Sequence, residues 1–252
     1  MIKAVLWDVD GTLAETERDG HRVAFNEAFE ALNVPWRWSE THYGQLLGVA
    51  GGRERLLHDM QGRGLAPPEP LQRHALAARV HSAKNEIYAR IVASGRLPLR
   101  DGVAELMEDC WRAGIPMGIV TTTSRCNVQA LLRTHLGINW ESRFATVVCA
   151  EEAPMKKPHP QAYLRALEVL QLKGRETIAI EDAPAGIAAA QAAGIPVIVT
   201  RSHYFPAERA RGTLAVGPSL GRSGGWQPAA HSGIPRIGLG QLTRWYAHSA
   251  WA

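Results

Sequence analysis

Two hydrophobic rhythms alternate along the chain. Residues 2–9 (IKAVLWDV) are an apolar run ending in acid and then Gly11, the pattern of a buried strand with a polar tip. From Glu17 the period changes: Phe25, Ala28, Phe29 and Leu32 recur at helical spacing, and the pattern predicts a helix from Glu17 to Leu32. After the flexible stretch Gly48–Gly52, Leu56, Leu57 and Met60 mark a short helix. Pro67, Pro68 and Pro70 punctuate a turn, and Leu76, Val80, Ala83 and Ile87 line a longer helix. No strand pattern occurs between residues 17 and 95. Beyond Pro98 the texture changes again. A helix through Val103, Leu106, Met107 and Cys110 stops at Gly114, and strand patterns at 116–121, 145–149, 177–181 and 196–200 alternate with helical ones. The series predicts an α/β fold: a Rossmann-like parallel sheet core with an inserted α-helical cap domain. The core is expected over 1–16 and 96–252 and the cap over 17–95. The strand at 196–200 closes the predicted series. Residues 204–252 are rich in Gly, Pro and Ser, with a loop at 221–233 and a short helix expected over 239–251. Trp226, Trp245 and Trp251 imply that this tail packs against the rest.

Composition narrows the picture further. The 252 residues are 46% apolar and 21% charged, which suits a globular domain with a sizeable core. A net charge of +4, evenly spread, argues against a nucleic-acid partner and is compatible with an anionic small molecule. Cys110, Cys126 and Cys149 show no metal-binding spacing and read as reduced thiols. No apolar run reaches the roughly 20 residues of a membrane span. The expectation is a soluble cytoplasmic protein without a membrane partner, or a stromal one if a plastid source has removed a transit peptide.

Four predicted strands end in polar tips, and ligands of open α/β sheets bind outside the carboxyl ends of the strands. Asp8 and Asp10, two apart on an extended segment, point the same way and call for a cation or a shared proton. Mg²⁺, which prefers oxygen ligands, fits that need. Asp8 then suits attack on phosphorus and Asp10 suits proton transfer. Thr121, with Thr122 behind it at a strand-to-helix junction, reads either as a phosphate site or as a helix cap. Lys156 and Lys157 read either as neutralisers of phosphoryl charge or as a solvated pair. Glu181 and Asp182, adjacent acids after an apolar strand, read as metal ligands, as a cap, or both. Each stretch is modest alone; their order, each at a strand end, is specific.

In that order the four stretches resemble the haloacid dehalogenase superfamily of phosphohydrolases, over essentially all of residues 1–200. The resemblance implies Asp8 as nucleophile and Asp10 as acid and base, with Thr121 and Lys157 holding the transferring phosphate. It implies Mg²⁺ on Asp8, the Asp10 carbonyl and Asp182, with Glu181 ligating or orienting. Lys157 is preferred to Lys156 because the lysine of the superfamily usually precedes the proline, here Pro158. AETERDGHRVAFNEAF, WRWSETHYGQLLGVAGGRERL and AIEDAPAGIAAAQAAGIP are similar to the CbbY branch, next to β-phosphoglucomutase. That branch is associated with the Calvin cycle and with removal of the 1-phosphate of xylulose 1,5-bisphosphate, an inhibitor of Rubisco. The chain departs from it in three places. A residue is inserted around Asp19-Gly20, which leaves the register of His21 open. Ala183 replaces a serine, and the tail beyond 204 is longer.

The cap adds candidates for the substrate side. Arg53, beside glycines at a predicted helix start, suits a second, non-transferring phosphate, while Arg55 reads as paired with Glu54 or solvent. Glu17 and His21 are placed where cap meets core, either on sugar hydroxyls or as a helix cap and a surface residue. Thr122 and Lys156 join them as substrate-binding candidates. The reading is a Mg²⁺-dependent sugar-bisphosphate phosphatase with a phosphorylated sugar as its partner. The alternatives are a phosphomutase, a phosphoglycolate phosphatase and a catalytically silent phosphate-binding protein.

Overall fold

The computed structural model describes residues 2–63, 66–206, 211–249 and 251. Strands β1 (Ala4–Trp7), β2 (Met117–Val120), β3 (Thr146–Val148), β4 (Thr177–Glu181), β5 (Val197–Thr200) and β6 (Ala215–Gly217) form one sheet in the order β3-β2-β1-β4-β5-β6, every pair parallel. Because the side-chain period is two, the runs that read as continuously apolar serve two cores. Val5, Trp7, Ile119, Ile178 and Ile180 face one, and Leu6, Val120, Ala179, Val197 and Val199 face the other. The central β1 is flanked by β2 and β4, so the tips of these three strands share one edge of the sheet.

Between β1 and the helix over Val103–Arg112 the described residues hold helices and no strand, as the pattern predicts. The helices are α1 (Arg22–Ala31), α2 (Glu40–Leu46), α3 (Gly52–Gln61) and α4 (Pro70–Ala93); Val103–Arg112 is α5. The short α2 has too little periodicity to be legible. It starts at Ser39, whose hydroxyl accepts the His42 N–H at 3.1 Å. Pro70 proves to be the first residue of α4, a position that tolerates the missing N–H. Phe25, Phe29, Trp36, Trp38 and Tyr43 form the aromatic heart of this insertion. The helix expected from Glu17 begins with a π-turn, Glu17–His21, in which the Arg22 N–H bonds the Glu17 carbonyl. A π-turn accommodates one extra residue without breaking the helix. It includes Asp19-Gly20, where the resemblance implies an inserted residue.

The sheet carries one strand more than expected. The tail returns to pair β6 with β5, Ile198 opposite Ala215 and Thr200 opposite Gly217. Three residues, Ala-Val-Gly, carry no periodic signal. Gly217 is required there because a Cβ would lie 2.1 Å from the Trp226 ring. The expected tail helix is present as α9 (Leu239–Ala247), numbered after α6 (Arg125–Leu136), α7 (Gln161–Leu170) and α8 (Pro184–Ala192). Trp226 and Trp245 are buried with ring centroids 4.9 Å apart, and Trp251 is half-buried. Arg236 grips Asp109 of α5 through both terminal nitrogens, at 2.8 and 2.9 Å. No helix among the described residues is long and apolar enough to cross a membrane.

Candidate active site

Asp8 follows β1 directly, and its N–H still bonds the Ile180 carbonyl of β4 at 3.1 Å, so its backbone is held by the sheet. Lys157, from the loop between β3 and α7, donates to Asp8 Oδ1 at 2.7 Å, to Glu181 Oε1 at 2.6 Å and to the Val120 carbonyl at 2.8 Å. The Tyr163 hydroxyl donates to the same Glu181 oxygen at 2.5 Å. All four residues are buried. Burial works against the Lys157 charge, yet Asp8 and Glu181 more than offset it, and its pKa is raised. Lys156 turns the other way and meets Glu54 of α3 at 2.5 Å. The two neighbouring lysines therefore do different things, one at the strand tips and one bridging to the insertion.

Asp8, Glu181 and Asp182 each offer an oxygen within 4.8 Å of the others. Burial first, then Glu181, pushes the Asp8 carboxyl up to about 7. Burial and the Asp8 charge raise Asp182 well above the usual carboxylate range. Asp182 Oδ1 is buried without a hydrogen-bond partner, and the nearby Ser202 only partly offsets the rise in its pKa. Three crowded acids with one ammonium and one orphaned oxygen fit a hard divalent cation. Gly11 makes room for this arrangement: at φ 87° it accepts a turn that side chains avoid, and a Cβ there would lie 2.1 Å from Asp182 Oδ2. Lys157 engages one oxygen each of Asp8 and Glu181, and Tyr163 shares the Glu181 oxygen, which leaves Asp182 as the carboxylate of the group without an ammonium partner.

Asp10 stands apart from this cluster. Its Oδ1 accepts the Thr16 hydroxyl at 2.6 Å and pairs with His21 Nε2 at 2.9 Å. Burial alone would raise its pKa, but His21 and then Thr16 overcome that and lower it to about 2. His21 is thus buried rather than a surface residue. Its ring stacks on Tyr88 with centroids 4.3 Å apart, and the π-turn sets its register.

Two adjoining cavities meet here. One, of about 80 Å³, is lined by Asp8, Lys157, Glu181 and Asp182. The other, of about 260 Å³, is lined by His21, Arg53, His81, Lys84, Asn127 and Lys156. Asp10, Glu17, Arg55 and Thr122 line both. Thr121 lines neither; its buried hydroxyl accepts the Thr123 N–H at 3.2 Å, so at this strand end it is Thr122 that faces the site. Arg53 is exposed at the larger cavity. Glu17 accepts the Tyr43 hydroxyl and lies 3.6 Å from Arg55. The expectation that Arg55 pairs with Glu54 or solvent is corrected: Arg55 is buried, donating to the Tyr43 hydroxyl at 2.8 Å and the Leu46 carbonyl at 3.2 Å.

Lys84 and Asn127 are cavity residues that sequence reasoning missed. Lys84 is buried, and its ammonium lies 5.4 Å from the Phe25 ring and 5.1 Å from the Tyr88 ring. Burial pulls its pKa down to about 8. Its neighbour Ala83 belongs to the apolar stripe of α4, so a lysine beside that stripe reads as a solvent-facing flank.

Residues 2–194 match the model of the haloacid dehalogenase-like hydrolase family. The chain is 42% identical to the plasmid-borne protein CbbY of Cupriavidus necator over 226 residues, 87% of this chain and 86% of that one. It is 42% identical to protein CbbY of Rhodobacter capsulatus over 203 residues, 81% of this chain and 87% of the relative. A crystal structure of a CbbY mutant from Rhodobacter sphaeroides in complex with xylulose 1,5-bisphosphate superposes with a TM-score of 0.81 at 38% identity, covering 89% of this chain and 97% of that one. The β-phosphoglucomutase of Clostridium difficile, 20% identical with a TM-score of 0.72 over 98% of both chains, shares the fold. The chain belongs to the haloacid dehalogenase-like hydrolases, as a phosphatase akin to the CbbY proteins.

Proposed function

We propose that the protein removes the 1-phosphate of xylulose 1,5-bisphosphate in a Mg²⁺-dependent reaction through a phosphoaspartate on Asp8, and so clears a Rubisco inhibitor in support of the Calvin cycle. The observation that carries this reading is the pair of adjoining cavities, one with a buried carboxylate–lysine cluster and the other with Arg53, Lys84 and Lys156. A bisphosphate needs a reacting site for one phosphate and a cationic site for the second. The substrate in the Rhodobacter sphaeroides CbbY complex has that form.

In this reading the helical insertion, residues 17–95, is the specificity cap on a core of residues 1–16 and 96–252. The Asp8 carboxylate attacks phosphorus, the sugar oxygen leaves, and water then cleaves the acyl phosphate. Lys157 and the Thr122 hydroxyl hold the transferring oxygens. Asp10 delivers a proton to the leaving oxygen and removes one from the attacking water. Its bonds to Thr16 and His21 favour the carboxylate, the form that accepts the proton of water, so the proton it gives the leaving oxygen is one taken up as the substrate binds. Glu17 and His21 face the sugar hydroxyls, and Arg53 with Lys84 receives the distal phosphate. Mg²⁺, held by Asp8, the Asp10 carbonyl and Asp182, with Glu181 orienting from behind, supplies charge neutralisation between phosphate and carboxylate when bound.

The test is phosphate release across xylulose 1,5-bisphosphate, other ketose bisphosphates, hexose 1-phosphates and phosphoglycolate, with Mg²⁺ and then with chelator. The proposal expects the highest kcat/KM on xylulose 1,5-bisphosphate and none with chelator. Preference for a monophosphate would overturn the substrate assignment, and conversion of a hexose 1-phosphate to its 6-phosphate would identify a mutase.

A further inference from the structure

We infer that Arg100 is a positioning residue for the reaction: by gripping the turn after Asp10 and the segment behind Asp182, it sets the spacing of the carboxylates that hold the cation. The inference rests on reading the Asp8 cluster as a phosphatase centre.

Arg100 lies where the chain returns from the helical insertion to the sheet. Its N–H bonds the Leu13 carbonyl at 2.7 Å, joining the returning strand of chain to the outgoing one. Its guanidinium then collects acceptors from three further places. Nη1 donates to the Gly11 carbonyl and to the Thr200 hydroxyl at 3.2 Å. Nη2 donates to the Arg201 carbonyl at 2.5 Å and the Pro218 carbonyl at 3.1 Å. Nε lies 3.6 Å from Glu15 Oε1, with the Arg100 side chain only 11% exposed. A planar fork of five donors can serve acceptors in several directions at once, which a single ammonium cannot do.

What Arg100 holds leads to the reacting groups in one step. Gly11 follows Asp10 in the chain, and its Cα packs so closely on Asp182 that no side chain fits between them. Ser202 follows Arg201, lies beside the Asp182 carboxyl and partly offsets the rise in its pKa. Two backbone segments beside Asp182, at Gly11 and at Arg201, are therefore anchored on one guanidinium. Pro218 lies beyond residue 194, where the family match ends, so through Arg100 the tail also becomes part of the frame of the site. An arginine that merely tied loops together would affect stability and leave the affinity of the site for its cation unchanged. That difference is measurable.

The experiment titrates Mg²⁺ calorimetrically into the full-length wild type and Arg100→Ala, and measures steady-state hydrolysis of p-nitrophenyl phosphate by both. Groups that orient metal ligands typically carry ten-fold or more in affinity, so Mg²⁺ binding by Arg100→Ala is expected to weaken by about ten-fold and kcat to fall comparably. The substrate KM, measured at saturating Mg²⁺, is expected to stay within about two-fold. Arg100→Lys keeps the charge without the fork and is expected to recover only part of the Mg²⁺ affinity; it carries the same test where Arg100→Ala does not fold. Unchanged Mg²⁺ affinity in a folded variant, even one with a lowered Tm, overturns the proposal. A wild type that releases no phosphate from any substrate would instead remove the phosphatase reading, while the calorimetric comparison would still decide whether Arg100 orients a cation site.

Discussion

At the strand-tip end of the cavity, Asp8, Glu181 and Asp182 face one buried ammonium, Lys157. At the insertion end, Lys156 is answered by Glu54, while neither Arg53 nor Lys84 forms an ion pair among the described residues. The first end has more acid than it can neutralise and the second has spare positive charge. One end is therefore matched to a cation and the other to an anion. A magnesium–phosphoryl group at the first and a distal phosphate at the second would complete both. The lesson is that the net charge of +4 says little about recognition, because opposite imbalances are placed in adjoining cavities.

Several experiments break or sharpen this contrast. Asp8→Asn keeps the shape and removes the proposed nucleophile, so phosphate release is expected to fall on the order of 10⁴-fold; release near the wild-type rate would remove Asp8 from the chemistry. Lys157→Met leaves Asp8 and Glu181 buried without their ammonium. It is expected to abolish turnover and to cost about 3–5 kcal/mol in denaturant unfolding, the usual penalty for breaking a buried pair. At the insertion end, Arg53→Ala is expected to raise KM for a bisphosphate about ten-fold, from loss of charged hydrogen bonds, while leaving a monophosphate unchanged. Equal effects on both substrates would remove Arg53 from distal-phosphate binding.

The smallest expected effect is a pH dependence. Lys84 has its pKa lowered to about 8, so it is cationic below that pH and neutral above it. KM for the bisphosphate is therefore expected to rise as pH passes upward through about 8, and Lys84→Arg to remove the rise. The same shift has a stability consequence of definite sign. A lysine whose folded pKa is depressed costs stability while charged, so its burden is greatest below about 8 and is gone above the ordinary value of 10.5. Lys84→Met is then expected to stabilise the substrate-free protein at pH 7 more than at pH 10, measured by Tm.

Much of the strand-tip end was legible because its acids stand at the ends of apolar runs. Asp8, Glu181 and Asp182 could be placed at strand ends without coordinates, since a parallel sheet gathers such ends on one side. Lys157 was separable from Lys156 only by resemblance. The insertion end was less legible. Arg55 and Lys84 are buried cations, and a charged residue on a helix reads as solvent-facing by default. Thr121 and Thr122 were not separable by pattern, because which hydroxyl caps a backbone N–H and which faces the cavity depends on one turn of chain after β2.

The sequence alone determined the alternation of strands and helices, the helical insertion, and the acids at the strand tips. These are local consequences of hydrophobic period and need no partner from elsewhere in the chain. Tertiary structure decided what depends on distant segments meeting. It paired β6 with β5 through a three-residue stretch that has no period of its own, and it buried Arg55 against Tyr43. It placed a π-turn at Glu17–His21, after which His21 meets Asp10. It also gathered carbonyls from residues 11, 201 and 218 around Arg100, because packing in three dimensions, rather than neighbourhood along the chain, decides which acceptors one guanidinium can reach.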